Sequence, residues 1–392
     1  MAKRPKDIDV WVLAGQSNMQ GCGWLDGCEQ PDERVWNFTS AGKWEVAAEP
    51  LHRFWESFTP VHYEMIRPWV APHQKKMTNK QLAEEEDRNR KSGAGLGMSF
   101  GKAMADALGR PIGLIACAHG GTSLDQWSPA LKNKGGHSLY GAMLQRIAKA
   151  GGNLRGILWY QGCSDATSAD QARTYADRFD AWIAAVRKDL KMPRLPVVAV
   201  QIGRVLESPG REGNWHSWDL VREALGTLPR RVPHTAVTTS VDLSMADIIH
   251  IDTPGLIRLG KRMARLALKL TELPNIAGGP VVKRIEPMVT AVGGRNALRL
   301  RFDGVSGGWS VRHNIPGFVV RFPRPELRNP VIVVEAAAHD DDSISLLLSR
   351  EPESDVQVAY GLGIQPVCTL TDKADMPLCS FLAKAAAKTR KK

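Results

Sequence analysis

The residues most able to do chemistry are a serine turn near the start of the chain and an Asp–His pair far downstream. Residues 15–21 read Gly-Gln-Ser-Asn-Met-Gln-Gly and directly follow the apolar run 9–14. Hydrolytic α/β folds expose a nucleophile at such a place, because glycines allow a sharp bend after a strand and free backbone N–H groups can receive negative charge. A Gly-x-Ser turn by itself is a weak signal, since most such turns only shape a loop.

An Asp-Ile-Ile-His segment near the end of the same α/β pattern supplies what a serine nucleophile lacks. A serine hydroxyl is inert at neutral pH unless a base within hydrogen-bond reach takes its proton. We predict Ser17 as the nucleophile, His250 as the base and Asp247 as the carboxylate that orients the imidazole. Asp242 and Asp252 are nearby alternatives for the carboxylate, but their separation from the histidine suits a shared hydrogen bond less well.

Two intervening strand ends offer donors for the oxyanion that such a nucleophile creates. The apolar run 111–118 leads to Gly120 and Gly121, where the lack of a side chain lets a backbone N–H approach a substrate oxygen. The run 154–160 leads to Gln161, whose amide can donate a second hydrogen bond. The alternative is that the glycines only form a turn and that the glutamine is a satisfied polar cap.

The elements that must position these residues alternate between short apolar strands and longer amphipathic helices. Strands are predicted at residues 8–14, 111–118, 154–160, 195–202 and 234–241. Helical spacing of apolar residues occurs in four stretches, at Phe100, Met104 and Leu108; at Leu139, Met143 and Ile147; at Phe179, Ile183, Val186 and Leu190; and at Leu256, Leu259, Met263 and Leu270. This alternation predicts an α/β fold with a doubly wound parallel sheet, whose ligands bind at the carboxyl ends of the strands.

Residues 43–92 interrupt the alternation with an aromatic stretch and then a charged run from Lys75 to Lys91. A connection of this length inside a compact domain is usually functional or mobile. We predict that this insertion walls the active-site cleft with aromatic faces. The alternative is an insertion packed passively on the surface.

The composition changes past Leu273, where prolines and glycines mark a boundary. Alternating and β-branched runs follow, separated by glycine-rich turns, which is typical of an antiparallel β sandwich. We therefore predict a large domain at 1–273, a smaller β-rich domain at 274–383 and a basic tail at 384–392.

The net charge of +11 does not indicate a nucleic-acid partner. Five of the positive charges lie in the tail, and the rest are spread without aromatic interleaving or a recognisable nucleic-acid module. The six cysteines are too scattered for a disulfide scaffold and form no CxxC pair, so we predict no metal site and no cofactor.

No apolar run approaches the ~20 residues of a membrane span, so we predict no membrane partner. The first residues do not lead into a secretory apolar segment. The chain as given is therefore expected to be cytoplasmic, or exported if a leader has been removed.

Four ordered blocks resemble those of SGNH-type carbohydrate O-acetylesterases, the family of sialate O-acetylesterases and acetylxylan esterases. The blocks are Gly-Gln-Ser-Asn-Met at 15–19, Gly-Gly-Thr-Ser-Leu-Asp-Gln-Trp at 120–127, Trp-Tyr-Gln-Gly at 159–162 and Asp-x-x-His at 247–250. The resemblance covers roughly residues 8–272 and extends more loosely to 360–378. It implies a three-layer α/β/α SGNH-hydrolase fold with a flavodoxin-like sheet, no metal, and acetate as product. It also implies a triad of Ser17, His250 and Asp247 and an oxyanion hole from Ser17, a glycine of 120–121 and Gln161.

For substrate contacts we predict Gln16, Trp127, Trp159 and Cys163, with the two tryptophans as sugar-stacking faces, although aromatics at such positions are as often core. Where the family usually has Glu, this chain has Cys163, so hydrogen bonding in the cleft and substrate preference are expected to differ. A small loop thiol is favoured there over a nucleophile, because no histidine lies beside it in sequence. His119 is a further residue that could line the cleft.

These features predict a serine hydrolase that removes O-acetyl groups from a carbohydrate, of sialic acid or xylan type, through an acetyl-serine intermediate. The expected partner is an O-acetylated sugar or polysaccharide, and the oligomeric state stays open. A non-catalytic carbohydrate-binding protein on the same fold is one alternative, and the complete triad argues against it. A lipase- or thioesterase-like SGNH hydrolase is the other, but the polar, tryptophan-rich insertion does not suggest the long apolar trough that it needs.

Overall fold

Seven strands form one sheet that carries the serine turn on its central strand. The computed structural model describes residues 5–206, 215–290, 293–322, 330–352 and 354–385. The strands up to residue 239 are β1 (Asp9–Gly15), β2 (Gly23–Trp24), β3 (Val35–Phe38), β4 (Trp44–Val46), β5 (Ser92–Ala94), β6 (Ile112–Ala116), β7 (Asn153–Tyr160), β8 (Val197–Gln201) and β9 (Thr235–Thr239). The order in the large sheet is β4-β3-β6-β1-β7-β8-β9, while β2 and β5 form a separate ribbon.

Strand β1 lies between β6 and β7 and runs parallel to both, so the strand order changes direction beside it. All seven of its residues are buried, as expected for a strand covered by helices on both faces. The carboxyl ends of β1, β6 and β7 meet at one edge of the sheet, which is where doubly wound folds bind ligands. The sheet is mixed rather than purely parallel, because β4 pairs antiparallel with β3.

Two helical layers cover this sheet. The helices are α1 (Ser17–Gln20), α2 (Val61–Ile66), α3 (Asn79–Asn89), α4 (Gly97–Leu108), α5 (Leu139–Ala150), α6 (Ala169–Asp189), α7 (Trp215–Gly226), α8 (Leu228–Arg231) and α9 (Thr253–Thr271). Helix α4 packs against α9, and α6 packs against α7 and α8. The four predicted apolar stripes fall in or at the end of α4, α5, α6 and α9, and their residues face the core or its margin. The predicted α/β fold is therefore confirmed.

The insertion at 43–92 has its own secondary structure, containing β4, α2, α3, β5 and three 3₁₀ turns. Strand β5 at its end pairs with β2, which directly follows the serine helix. The insertion therefore returns to the edge of the sheet where the candidate site lies.

Beyond residue 280 the described chain forms two antiparallel sheets around a second core. Their strands are β10 (Val281–Val289), β11 (Asn296–Asp303), β12 (Phe318–Arg321), β13 (Val333–Ala338), β14 (Ile344–Leu348), β15 (Val356–Tyr360) and β16 (Phe381–Ala385). The predicted β-rich character is confirmed, while the domain boundary at 273 stays a prediction. Of the predicted basic tail, Lys384 lies in β16, and residues 386–392 lie outside the described residues.

Buried polar side chains join the β-rich part to the α/β part. The Arg222 guanidinium of α7 donates to the carbonyls of Gly361 and Gly363. The Gln201 side chain at the end of β8 exchanges two hydrogen bonds with the backbone of Ser380, at 2.8 and 2.9 Å. Within the described ranges, no helix is long and apolar enough to cross a membrane.

Candidate active site

The turn after β1 presents Ser17 at the carboxyl edge of the sheet. Gly15 ends the strand with φ +137°, and a Cβ atom there would lie 2.2 Å from the Tyr160 carbonyl oxygen. No side chain fits at that distance, so the sequence needs glycine to bend the chain into the short helix α1. Ser17 is the first residue of α1 and is partly exposed.

Asn18 ties the serine helix to the loop that carries the predicted base. Its Nδ2 donates to the Ile249 carbonyl at 3.3 Å, and its Oδ1 accepts from the Ile251 N–H at 2.9 Å. The two residues that flank His250 are therefore fixed to the residue that follows Ser17. Asn18 is 1 % exposed, so water does not compete for these bonds.

Asp247 and His250 form a hydrogen-bonded pair on that loop. His250 Nδ1 lies 2.7 Å from Asp247 Oδ2, while Asp247 Oδ1 accepts from the N–H groups of Ile249 and His250 at 2.8 Å each. Since an ionised carboxylate only accepts, Nδ1 carries the proton and Nε2 keeps its lone pair. Burial raises the pKa of Asp247, but the hydrogen bonds outweigh it and the net pKa is below the ordinary value. The hydrogen bond to Asp247 thus fixes the tautomer in which His250 could act as a base.

The alternative carboxylates have other partners. Asp242 forms a bidentate pair with Arg262, at 2.7 and 2.9 Å. Asp252 caps α9 by accepting from the Gly255 N–H at 2.8 Å. Within the described residues the Ser17 hydroxyl and the His250 ring do not yet share a hydrogen bond. Hydrogen bonds between a nucleophile and its base often form fully only when substrate is bound.

Of the predicted oxyanion donors, Gly120 lies directly beside the serine. A Cβ atom on Gly120 would be 3.6 Å from Ser17 Cβ, while its N–H donates to Gln20 Oε1 at 2.8 Å. The Gln20 side chain therefore accepts the hydrogen of this predicted oxyanion donor. Gly121 adopts φ +68° with no atom within 4 Å of an added Cβ, so it faces open space.

The side-chain amide of Gln161 is already hydrogen-bonded to other groups of the protein. Its Nε2 donates to the Thr122 carbonyl at 3.0 Å and to Asp165 Oδ2 at 2.7 Å, and its Oε1 accepts from the Tyr175 hydroxyl at 2.9 Å. Both amide hydrogens are used and the side chain is buried, so this arrangement leaves none for an oxyanion. Gln161 instead joins the loops that follow β6 and β7.

Gln16, predicted as a substrate contact, is oriented by the loop after β7. Its Oε1 accepts from the N–H groups of Gly162 and Ser164, at 3.0 and 3.3 Å. The carbonyl end is therefore fixed, and the amide nitrogen has no hydrogen-bond partner in the described part of the chain. Gln16 directly precedes Ser17, so this free donor belongs to the serine turn.

Three other predicted substrate contacts are wrong. Trp127 and Trp159 are fully buried and pack edge to face with ring centroids 5.4 Å apart, so neither can stack on a sugar. Cys163 is buried as well, and burial raises the pKa of its thiol to about 12, which removes it as a nucleophile. The sequence places these side chains next to the cleft, but the hydrophobic effect turns them into the core.

His119 belongs to a buried cluster behind the glycine loop. Its Nδ1 lies 3.2 Å from His62 Nδ1, and its ring stacks on Phe54 with centroids 4.4 Å apart. His52 Nε2 accepts from the Ala118 N–H at 3.1 Å. Burial lowers the pKa of His52 to about 3 and that of His119 to about 4, and it places the pKa of His62 well below the ordinary value. These neutral rings support the strand end that carries Gly120.

Sequence reasoning missed two residues at this edge. Asn18 stands next to the serine, but nothing in the sequence indicates that its amide reaches a loop 231 residues away. The second residue is Trp24, which is 54 % exposed. Its carbonyl accepts from the hydroxyl of Thr253 at 2.6 Å, and Thr253 lies close to His250 in the chain. Among the residues with described positions, no cluster of His, Cys, Asp or Glu could hold a metal ion.

The sheet order, the serine turn after its central strand and the Asp–His loop before α9 define an SGNH-type α/β hydrolase fold. Residues 7–269 match the family model for carbohydrate esterases described as sialic acid-specific acetylesterase. The chain therefore belongs to this carbohydrate esterase family, and it is an esterase.

One similar sequence and two solved structures illustrate the relationship. A probable carbohydrate esterase of Arabidopsis thaliana is 27% identical over 281 residues, which cover 66% of this chain and 90% of the relative. A solved Arabidopsis thaliana structure, also 27% identical, covers 67% of this chain and 99% of its own, with a TM-score of 0.50. A carbohydrate acetylesterase from Xanthomonas citri shares the fold over 96% of this chain and 80% of its own, with 22% identity and a TM-score of 0.66.

Proposed function

We propose that the protein removes O-acetyl groups from a carbohydrate through an acetyl-serine intermediate on Ser17. The observation that carries this proposal is the Asp247–His250 pair on a loop that Asn18 anchors to the serine helix. The family match supports a carbohydrate ester as substrate. Sialic acid and xylan-type sugars are the two acetylated classes that we propose.

In the proposed reaction Ser17 Oγ attacks the acetyl carbonyl while its proton passes to His250 Nε2. Asp247 holds the imidazole through Nδ1 and stabilises the imidazolium. The C–O bond to the sugar then breaks, and the sugar oxygen takes the proton from His250. Water, deprotonated by the same nitrogen, attacks the acetyl-serine, so acetate leaves and the Ser17 hydroxyl is restored.

The oxyanion requires donors preorganised beside the serine. We propose the N–H of Ser17, the N–H of Gly120 or Gly121 and the side-chain amide of Gln16. Gln16 ranks ahead of Gln161 because both amide hydrogens of Gln161 already have acceptors. Use of the Gly120 N–H requires the Gln20 side chain to release it.

The test measures acetate release from 4-nitrophenyl acetate and from acetylated sialosides and xylan. We expect Ser17→Ala and His250→Ala each to lower kcat by a similar factor of about 10⁴ or more, because triad members act as a unit. Ser123→Ala is the matched control, since this serine lies on the neighbouring glycine loop and, among the described residues, its hydroxyl hydrogen-bonds only to Gln126. Substantial turnover by both triad variants would refute the mechanism, and sugar binding by a wild-type protein without turnover would favour a carbohydrate-binding role.

A further inference from the structure

The insertion leaves a groove beside the site that the proposed reaction does not use. This insertion groove has a volume of about 560 Å³ and is lined by residues that include Trp55, Trp69, Val70, Leu82, Lys91 and Ser92. Its size lies within the range of about 300–1,000 Å³ that is common for ligand sites. The groove is formed entirely by residues 55–92, outside the serine and histidine loops.

Trp69 is the most exposed large apolar side chain of the described residues, at 86 %. It stands on the 3₁₀ turn Arg67–Trp69, and the partly buried Trp55 lines the same groove. Leaving a tryptophan in water forgoes the burial of about 150–250 Å² of surface. Because a second aromatic ring lines the same groove, the exposure of Trp69 indicates a surface that a ligand covers.

The polar lining indicates what kind of ligand this is. Glu86, Asn89 and Lys91 are exposed at the groove and alternate with its apolar faces. A sugar ring has an apolar C–H face and a rim of hydroxyl groups, so it matches aromatic faces and polar side chains together. An acyl chain would offer these exposed polar groups no hydrogen bonds, whereas the hydroxyl groups of a sugar would.

Two chain connections join the insertion groove to the candidate active site. Trp55 follows Phe54, whose ring stacks on His119 beside Gly120. At the other end Ser92 pairs with the exposed Trp24, and the neighbouring Gly93 lies against Gly21 at the end of the serine helix. Residues next to both ends of the groove lining therefore contact the glycine loop and the serine helix.

We propose that the insertion groove binds sugar units that flank the acetylated one, so the substrate is an oligosaccharide or polysaccharide rather than a single sugar. This inference rests on the proposed function. In this proposal the groove increases the affinity for the substrate, while Ser17 and His250 carry out the acetyl transfer. Small acetyl esters cannot reach the groove, so the rate of their hydrolysis should not depend on it.

The experiment compares Trp69→Ala with the wild type on 4-nitrophenyl acetate and on acetylated xylan, pectin and sialylated glycans, using whichever polymer the wild type deacetylates fastest. We expect kcat/KM on the polymer to fall about tenfold, equivalent to about 1.4 kcal/mol, with kcat/KM on the small ester unchanged. Ile332→Ala is the matched control, since it removes a 61 % exposed apolar side chain from the β-rich part of the chain. Thermal unfolding checks that each variant is folded.

Equal polymer kinetics for Trp69→Ala and the wild type would overturn the groove assignment. An equal loss on polymer and small ester would also overturn it, because the tryptophan would then act on the catalytic centre or the fold. A wild type that hydrolyses 4-nitrophenyl acetate but none of the polymers would contradict the polymeric substrate alone. Absence of hydrolysis of every ester by the wild type would instead refute the proposed function.

Discussion

Replacing Asn18 should separate the positioning of His250 from its chemistry. Asn18→Leu keeps a similar volume but removes both hydrogen bonds to the loop that carries His250. The Ile249 carbonyl and the Ile251 N–H then lose their partners. An unsatisfied buried polar group costs about 1–3 kcal/mol, so the two groups together would lower stability by about 2–6 kcal/mol if the loop stayed docked.

The loop can avoid that cost by moving into solvent, because Asp247 is about half exposed. Such a move would displace His250 from Ser17, and a misplacement of about 1 Å can cost about 10²-fold in rate. We therefore expect the loop to move and kcat to fall about 10²-fold. Asn18→Asp keeps the acceptor for the Ile251 N–H, and we expect a smaller loss from it.

The assay measures kcat and KM on 4-nitrophenyl acetate, with urea unfolding in parallel. Ser123→Ala again serves as the control on a neighbouring loop. Wild-type kcat in a folded Asn18→Leu protein would refute the reasoning. It would show that the two hydrogen bonds do not hold the base in position.

Two further predictions concern stability. Above pH 6.5 His52 is neutral in both the folded and the unfolded chain, but its folded pKa of about 3 means that acid protonates only the unfolded chain. The free energy of unfolding should therefore fall as the pH drops below about 6.5, and His52 should account for about 2 kcal/mol of this loss at pH 5. In urea unfolding, a His52→Gln variant whose stability depends on pH as steeply as that of the wild type would contradict this prediction. Asp165→Asn should lower the free energy of unfolding, measured in urea, by about 3 kcal/mol, because it removes the fully buried carboxylate that pairs with Arg178. Asp125 is an exposed partner of the same arginine, so Asp125→Asn should lower this free energy by less than about 1 kcal/mol. Equal effects of the two substitutions would argue against the buried network.

Much of the fold could be predicted because its signals are local. The apolar runs that predict strands are close to β1, β6, β7, β8 and β9, and helical spacing predicts four of the helices. The sequence does not predict strands β3 and β4, because their segments have only four and three residues and are too short to show a periodic pattern. The short paired strands β2 and β5 depend on a contact between residues about 70 positions apart, which periodicity cannot show.

The Asp247–His250 pair is a local feature that the sequence determines by itself. A separation of three residues lets the carboxylate reach the ring and the intervening N–H groups, and the structure contains these bonds. The sharp bend at Gly15 is likewise indicated by the sequence, whereas the clash with the Tyr160 carbonyl that excludes a side chain there is decided by the tertiary structure. The catalytic roles of these residues stay predictions.

Only the tertiary structure decided which way the remaining side chains point. Trp127, Trp159 and Gln161 lie in the recognised blocks, yet packing turns the tryptophans into the core and gives the amide two internal acceptors. Gln16 is instead held with its amide nitrogen free, and Trp69 is left in solvent. The physical reason is that burial and hydrogen-bond satisfaction depend on neighbours from distant parts of the chain, whereas a motif specifies only what its own residues can reach.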